Sequence, residues 1–295
     1  MASRRERYTR GWWFILPGLI VMVTIVGVPL AMGLRYSLHE VFLYNFDTQP
    51  FVGLANYARV LNDPLYIKAL VTTTVFTIGC LAFALVFGIL IAFLLSARQV
   101  RLRPTWIALF LVPFVMTPVV GGIAWRLFMW QQEFGVINQI AGFLGLGQPY
   151  WLLEPNLALL AVIISDSWHL TPVAVLVFYA ALTTIPEELH EAGRVDGAGP
   201  FAALWYIILP MLRPHILFVS IIVVTSAFRE FDMVWAMTGG GPGRATTTLS
   251  IFVYNRGIAN QDIGIANTVA FTMFIIMAVV AWVYITLYRR GEVQE

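Results

Sequence analysis

Stretches without a single charged side chain dominate this sequence and alternate with short charged segments. The first runs from Gly11 to Leu34, the second from Ala69 to Ala97 and the third from Thr105 to Trp125. A fourth, Leu157 to Ile185, is interrupted only by Asp166 and His169. A fifth starts at Pro214 and stays uncharged until Arg229, Glu230 and Asp232 near its far end, and a sixth covers Gly264 to Tyr288. A helix crossing the roughly 30 Å hydrocarbon core needs about 20 apolar residues. The pattern therefore predicts an all-α membrane protein. Its six transmembrane helices fall at about 11–34, 69–97, 105–125, 157–185, 214–237 and 264–288, within a single membrane domain covering 1–295.

The basic start of the first run (Arg4, Arg5, Arg7, Arg10) also suits a secretory signal. Its uncharged length exceeds the usual apolar region of such a signal, and no small-x-small cleavage site follows Leu34, so it reads as a retained anchor. Basic residues set the orientation. With the N-terminus inside, 11 Lys and Arg fall on the cytoplasmic side and 6 outside, which predicts cytoplasmic N- and C-termini. The outer face then carries the loop after the first helix, a second around Gln131 to Glu154, and a Gly-rich third around Thr238 to Asp262.

Composition sharpens the class. Hydrophobic residues make up 59% of the chain and charged residues 12%, with mean hydropathy +0.79; soluble domains carry about 25% charged residues. A net charge of +2 gives no footprint for nucleic acid. The single cysteine, Cys80, excludes an intramolecular disulfide and a cysteine-based metal site. Lys68 is the only lysine and follows Ile67, so the Gly-Lys-Ser/Thr of a phosphate-binding loop is absent. The four histidines (His39, His169, His190, His215) are scattered, and neither HExxH nor GxSxG occurs. Asp166 and His169 are the nearest approach to a catalytic pair, and a structural or channel-lining role suits them better. Catalysis is not where this sequence spends its polar residues, and no cofactor or metal of its own is expected.

The most informative segment is the cytoplasmic loop at 183–213. Thr184 lies three residues ahead of Glu187 and Pro186 suits a first turn, so a short helix is expected to start here. Leu189, Ala192 and Val195 fall on one face, with Glu188, Glu191 and Arg194 on others. Gly197, Gly199 and Pro200 end it, and a second short helix, Phe201 to Leu209, is expected to stop at Pro210. The product is a stiff helix-turn-helix whose small residues let another protein approach its backbone.

Glu191-Ala192-Gly193, three residues, Gly197, nine residues and Ile207-x-Leu209-Pro210 match the EAA loop of binding-protein-dependent ABC transporter permeases, with Gly193 where that family has its second alanine. The substitution weakens the helix by about 1 kcal/mol. Phe51-Val52-Gly53-Leu54-x-Asn56-Tyr57, Asp166-x-Trp168-x-x-Thr171-Pro172, Ile185-Pro186-Glu187-Glu188-Leu189 and Thr238-Gly239-Gly240-Gly241-Pro242-Gly243 resemble further segments of its carbohydrate-uptake branch. The likeness extends from about Phe14 to Arg290 and is nearest the larger permease type of maltose-like systems, without extra N-terminal helices.

The resemblance implies the architecture of type I ABC importers and a cytoplasmic coupling helix between helices 4 and 5. It implies a location in the cytoplasmic (inner) membrane of a bacterium or archaeon, among membrane lipid. Two ATPase subunits carrying ATP and Mg, a second non-identical permease, an extracytoplasmic solute-binding protein and a sugar substrate are the expected partners. Glu191, Ala192, Gly193, Arg194, Asp196 and Gly197 are then the ATPase-coupling residues, with Gly197 at the turn.

Polar groups inside spans are costly and face a cavity or one another. Asp166 is read either as a pathway residue or as a partner for a neighbouring helix. Arg229, Glu230 and Asp232, interleaved with Phe228, Phe231 and Trp235, fit either sugar contact or an internal Arg–carboxylate pair. Trp125 with Arg126, and Asn267, are further pathway candidates. Gly239, Gly240, Gly241 and Pro242 form a flexible outer loop expected to meet the binding protein. The competing classes are an ion-driven secondary transporter and a membrane hydrolase.

Overall fold

The computed structural model describes residues 14–97, 100–130, 134–145, 147–186, 188–189, 197 and 199–292. The described residues are mainly helical, with isolated β-bridges pairing His39 with Phe51 and Phe42 with Asn45 and Asp262. In chain order the helices are α1 (Phe14–Ser37), α2 (Ala55–Leu61), α3 (Pro64–Ser96), α4 (Arg103–Val115), α5 (Pro118–Met129) and α6 (Val136–Phe143). They continue with α7 (Pro155–Thr184), α8 (Leu204–Phe228), α9 (Asp232–Thr238), α10 (Leu249–Tyr254) and α11 (Ile263–Glu292).

Five of them, α1, α3, α7, α8 and α11, are long and apolar enough to cross a bilayer. The third expected span is not one straight helix. It consists of α4 and α5, bent by 97° at Met116 and Thr117, so among the described residues five helices, or six if the bent pair counts as one, are long and apolar enough to span. The cause is in the sequence: residues preceding a proline avoid helical ψ. Thr117, ahead of Pro118, takes ψ 141°, and Met116 takes ψ 142°.

The fifth expected span also shifts. Helix runs unbroken from Pro200 to Phe228, passing through Pro210, because a wide π-turn at Leu204–Ile208 absorbs the missing N–H. It then stops at Arg229 instead of reaching 237, and α9 begins separately at Asp232. Thr184, expected to cap the loop helix, is the last residue of α7, and its hydroxyl donates back to Ala181 O at 2.8 Å.

The chain forms two compact units. One comprises residues through Tyr66 together with Phe252–Ile275. Its anchor is polar: buried Asn56 donates through Nδ2 to Ser37 O (3.0 Å) and His39 O (2.9 Å), and Thr268 Oγ1 bonds Ser37 O at 3.2 Å. Gly264 fits here because a Cβ would stand 2.7 Å from His39 O. Arg256 pairs with Asp63 and lies over the Phe252 ring. Asp262 accepts the Ile265 N–H at 3.0 Å, capping α11.

The other unit comprises Ile67–Ile251 and Ile276–Glu295. Its core gathers Phe76, Cys80, Ala161, Phe178, Val219 and Met233, all fully buried. Lipid tails are as apolar as leucine, so membrane helices gain from close contact through small residues. Gly88 on α3 meets α7 so tightly that a Cβ would lie 2.6 Å from Ala174 Cβ. Gly122 on α5 likewise faces Ala236 on α9, at 2.9 Å.

Candidate translocation site

Asp166 sits on α7 and is almost completely buried, at 1% exposure. Its Oδ2 faces the Cys80 thiol on α3 at 3.6 Å. Oδ1 has no partner, nor do the neighbouring buried hydroxyls of Ser167 on the same helix and Thr77 on α3. Buried polar atoms without a partner are expensive, and these lie on two helices, α3 and α7, that pack against each other. His169, one turn further along α7, bonds Pro113 O at 2.8 Å. That carbonyl loses its helical partner where α4 ends, so His169 is a structural clip between α7 and α4 and not a member of an acid–base pair.

Beyond α8 the chain turns through Arg229, Glu230 and Phe231. Glu230 Oε1 accepts the Met233 N–H at 2.8 Å. The carboxylate so caps the start of α9. Arg229 is exposed and makes no ion pair among the described residues, which removes the expected internal Arg–carboxylate pair. Asp232 and Trp235 are exposed on α9, and Trp235 stacks on Phe231 with 5.6 Å between centroids. Arg126 Nη1 reaches Ala236 O at 3.4 Å, tying α5 to α9.

Trp125 opens the last turn of α5 within an aromatic cluster that sequence inspection missed. It stacks on Trp130 (5.6 Å) and meets Trp168 edge-on (5.6 Å), while Trp130 packs on Trp151 at 4.8 Å. Trp130 Nε1 donates to Ser165 Oγ at 3.0 Å and Trp151 Nε1 to Asn138 Oδ1 at 2.8 Å. The available signal was the density of tryptophan at span ends, where such rings settle. Asn267 belongs to the other unit, where its Nδ2 donates to Ile263 O at 2.8 Å and its Oδ1 lies 3.1 Å from where a Gly33 Cβ would be.

The Gly-rich segment after α9 is tied down at both ends rather than a flexible loop. Gly239 closes α9 at φ 59°, and Gly240 is buried at φ 91°. Glycine adopts such conformations without strain. Thr246 Oγ1 donates to Gly241 O (2.7 Å) and Thr247 Oγ1 to Gly240 O (2.9 Å). Lys68 Nζ donates to Gly243 O at 3.1 Å. The expected coupling residues Glu191, Ala192, Gly193, Arg194 and Asp196 lie outside the described residues. Gly197 is described, exposed, and adopts φ 80°. That is the left-handed conformation of a turn glycine.

Residues 69–291 match the family described as binding-protein-dependent transport system inner membrane component. The chain belongs to this family. It is thus the membrane permease subunit of an importer and resides in the inner membrane. A probable ABC transporter permease of Sinorhizobium fredii is 33% identical over 99% of this chain and 94% of its own. The trehalose/maltose transport system permease protein MalF of Thermococcus litoralis is 32% identical, covering 95% of this chain and 93% of its own. Among solved structures, a bacterial ABC transporter for import of the acidic polysaccharide alginate superposes with TM-score 0.78 at 20% identity, over 97% of the permease and 96% of that chain. At that identity the likeness speaks for the fold alone. The broken α4–α5 helix, the buried Asp166–Cys80 contact and the tryptophan cluster thus belong to the membrane body of a transporter.

Proposed function

We propose that this permease is one half of a carbohydrate importer. It works beside a second, non-identical permease, two ATPase subunits that bind ATP and Mg, and an extracytoplasmic solute-binding protein. The observation that carries the reading is the 32% identity to a trehalose/maltose permease over nearly the whole chain, together with the Glu191-to-Pro210 pattern. Six spans with both termini cytoplasmic put the loop at 183–213 inside the cell, where Glu191, Ala192, Gly193, Arg194 and Asp196 dock on an ATPase and Gly197 provides the turn. The chain holds no ATP site; closure of the ATPase dimer pushes through this loop and turns the cavity outward. The Gly239–Pro242 segment meets the binding protein on the other face, held in position by Thr246 and Thr247.

Sugars are bound by aromatic faces and a few oriented polar groups. Trp235 stacked on Phe231, with Asp232 and Arg229 exposed beside it, is the best-placed set in this chain. Asp166 and Glu230, engaged with Cys80 and the α9 start, hold the helices that present them. The exposed apolar length of α1 suits contact with lipid or a second permease. The test is ATP-driven sugar uptake into proteoliposomes that contain the whole complex. Glu191→Lys should abolish uptake, a drop of at least about tenfold given a lost charged contact of about 1.5–3 kcal/mol, while the chain remains in the membrane. Uptake at wild-type rate, or accumulation by this chain alone under an ion gradient, overturns the reading.

A further inference from the structure

Helices α3, α4 and α7, with Trp125 of α5, line a cavity of about 460 Å³. That size falls within the range of small-ligand sites, roughly 300 to 1000 Å³. The cavity lies wholly in one unit, and its chemistry is unlike that of a sugar site. Of its thirteen lining residues only Thr171 carries a hydroxyl, and that hydroxyl already donates to Ser167 O at 2.6 Å. A sugar entering here would find only the indole N–H groups of Trp106, Trp125 and Trp168 and would leave most of its hydroxyls unpaired, which is costly. Hydrocarbon would lose nothing.

The lining residues follow helical faces. Along α7 they run from Ile164 to Val175, a rise of about 16 Å. That is the depth of one leaflet, half the roughly 30 Å hydrocarbon core. Along α4 they are Trp106, Leu109, Phe110 and Pro113, on the same arc as Arg103 one turn earlier. Trp106 and Leu109 are 48% and 56% exposed, so the cavity opens sideways out of the helices. At its Arg103 end the positive charge is not neutralised. Arg103 Nη2 donates to Ala97 O at 2.8 Å, Nε has no partner, and no carboxylate pairs with it among the described residues. Arg101 stands exposed two residues away.

We propose that an anionic phospholipid is a resident ligand of this site, one acyl chain lying between α3, α4 and α7 and the headgroup phosphate held by Arg103 with Arg101. Basic pockets between membrane helices are the kind that capture such headgroups. The lipid fills the space beside Trp168 and Pro172 and so steadies the broken α4–α5 helix against α7. This inference rests on the membrane location of the chain and not on the identity of its substrate.

The test is native mass spectrometry of the whole transporter complex exchanged into nanodiscs of phosphatidylglycerol or of phosphatidylcholine. Wild type is expected to keep one tightly bound phosphatidylglycerol per copy of this chain and to exchange phosphatidylcholine freely. Arg103→Gln should reduce the retained lipid roughly fivefold, the factor given by about 1 kcal/mol per basic side chain, and Arg103→Lys should largely restore it. Leu109→Trp, which fills the cavity and leaves the arginines, should also release the lipid. Equal retention of both lipids, retention unchanged in Arg103→Gln, or cross-links from position 109 to a protein helix of another subunit would overturn the proposal. ATP-driven uptake measured on the same samples separates this failure from failure of the importer reading.

Discussion

Helices α1 and α7 are both long enough to span the bilayer, yet they are built on opposite plans. None of the most apolar window of α1 is buried within the chain, against 56% of that of α7. The helix that carries Asp166, Ser165, Ser167, Thr171 and Pro172 is the packed one, and the helix made of Ile, Val, Leu and Met is the exposed one. In water the order would be reversed. In lipid, apolar surface gains nothing by leaving the tails for another helix, so packing goes to residues that allow close approach or need a polar partner. Helix α1 is fastened at its end, where Ser37 O receives Asn56 and Thr268.

The largest expected effect sets one glycine of each plan against the other. Gly88→Leu drives a side chain into Ala174 at a site with no room, whereas Gly18 on α1 has nothing within 4 Å. Overpacking of this kind costs about 1–3 kcal/mol, and the backbone contact at Gly88 puts it at the top of that range. Gly88→Leu is expected to lose most of its monodisperse yield by size-exclusion chromatography, and Gly18→Leu to keep it. Equal losses would mean that α1 is packed as tightly as α7.

Next comes the fastening of α1. Asn56→Ala leaves Ser37 O without one of its donors and takes the side-chain donor from His39 O. An unsatisfied buried group costs about 1–3 kcal/mol. The thermal midpoint of the purified protein should fall by several degrees, about 2–4 °C per kcal/mol in a chain of this size. A midpoint within error of wild type would show that the end of α1 is not held by Asn56. On the α7 side, Trp130→Phe keeps an aromatic ring for the tryptophan cluster but removes the N–H given to Ser165. Ser165 Oγ still donates to Ala161 O, so the loss should be near the net worth of one hydrogen bond, about 1 kcal/mol. A larger fall in the midpoint would mean that the indole contributes more than this one bond.

What could be read from the sequence follows the same physics. Uncharged length alone found α1, α3, α7 and α11 to within a few residues, because the bilayer imposes that length whatever a helix touches. The break between α4 and α5 was written in Pro118, and the early end of α8 in the turn capped by Glu230, but a window of hydropathy averages over both. The site was less legible. Asp166 stood out as a charge in an apolar run, whereas its companions Thr77, Cys80 and Ser167 are ordinary span residues until α3 and α7 meet. Trp130 and Trp151 join Trp125 and Trp168 only through tertiary contact. The Gly-rich segment read as flexible because the threonines that fasten it lie several residues downstream.

The smallest effect is expected beside the fastening of α1, at Asp262. Burial pushes its carboxyl above the ordinary carboxylate value, against the pull of the Ile265 N–H and of Arg256 and Arg59. A group whose pKa is raised on folding binds its proton more readily in the native state. It therefore contributes stability below its unfolded pKa, and that contribution is lost as pH rises through the raised value. At neutral pH the ionised Asp262 is a mild liability that its helix-capping bond offsets. Asp262→Asn keeps an oxygen for the Ile265 N–H and abolishes the charge. Its midpoint at pH 7 should lie within about 2 °C of wild type, and any stabilisation of wild type by mild acid that comes from this residue should vanish in the variant. A clear fall at pH 7 with the acid response intact would make the ion attraction to Arg256 and Arg59, rather than burial, the dominant influence on this carboxyl.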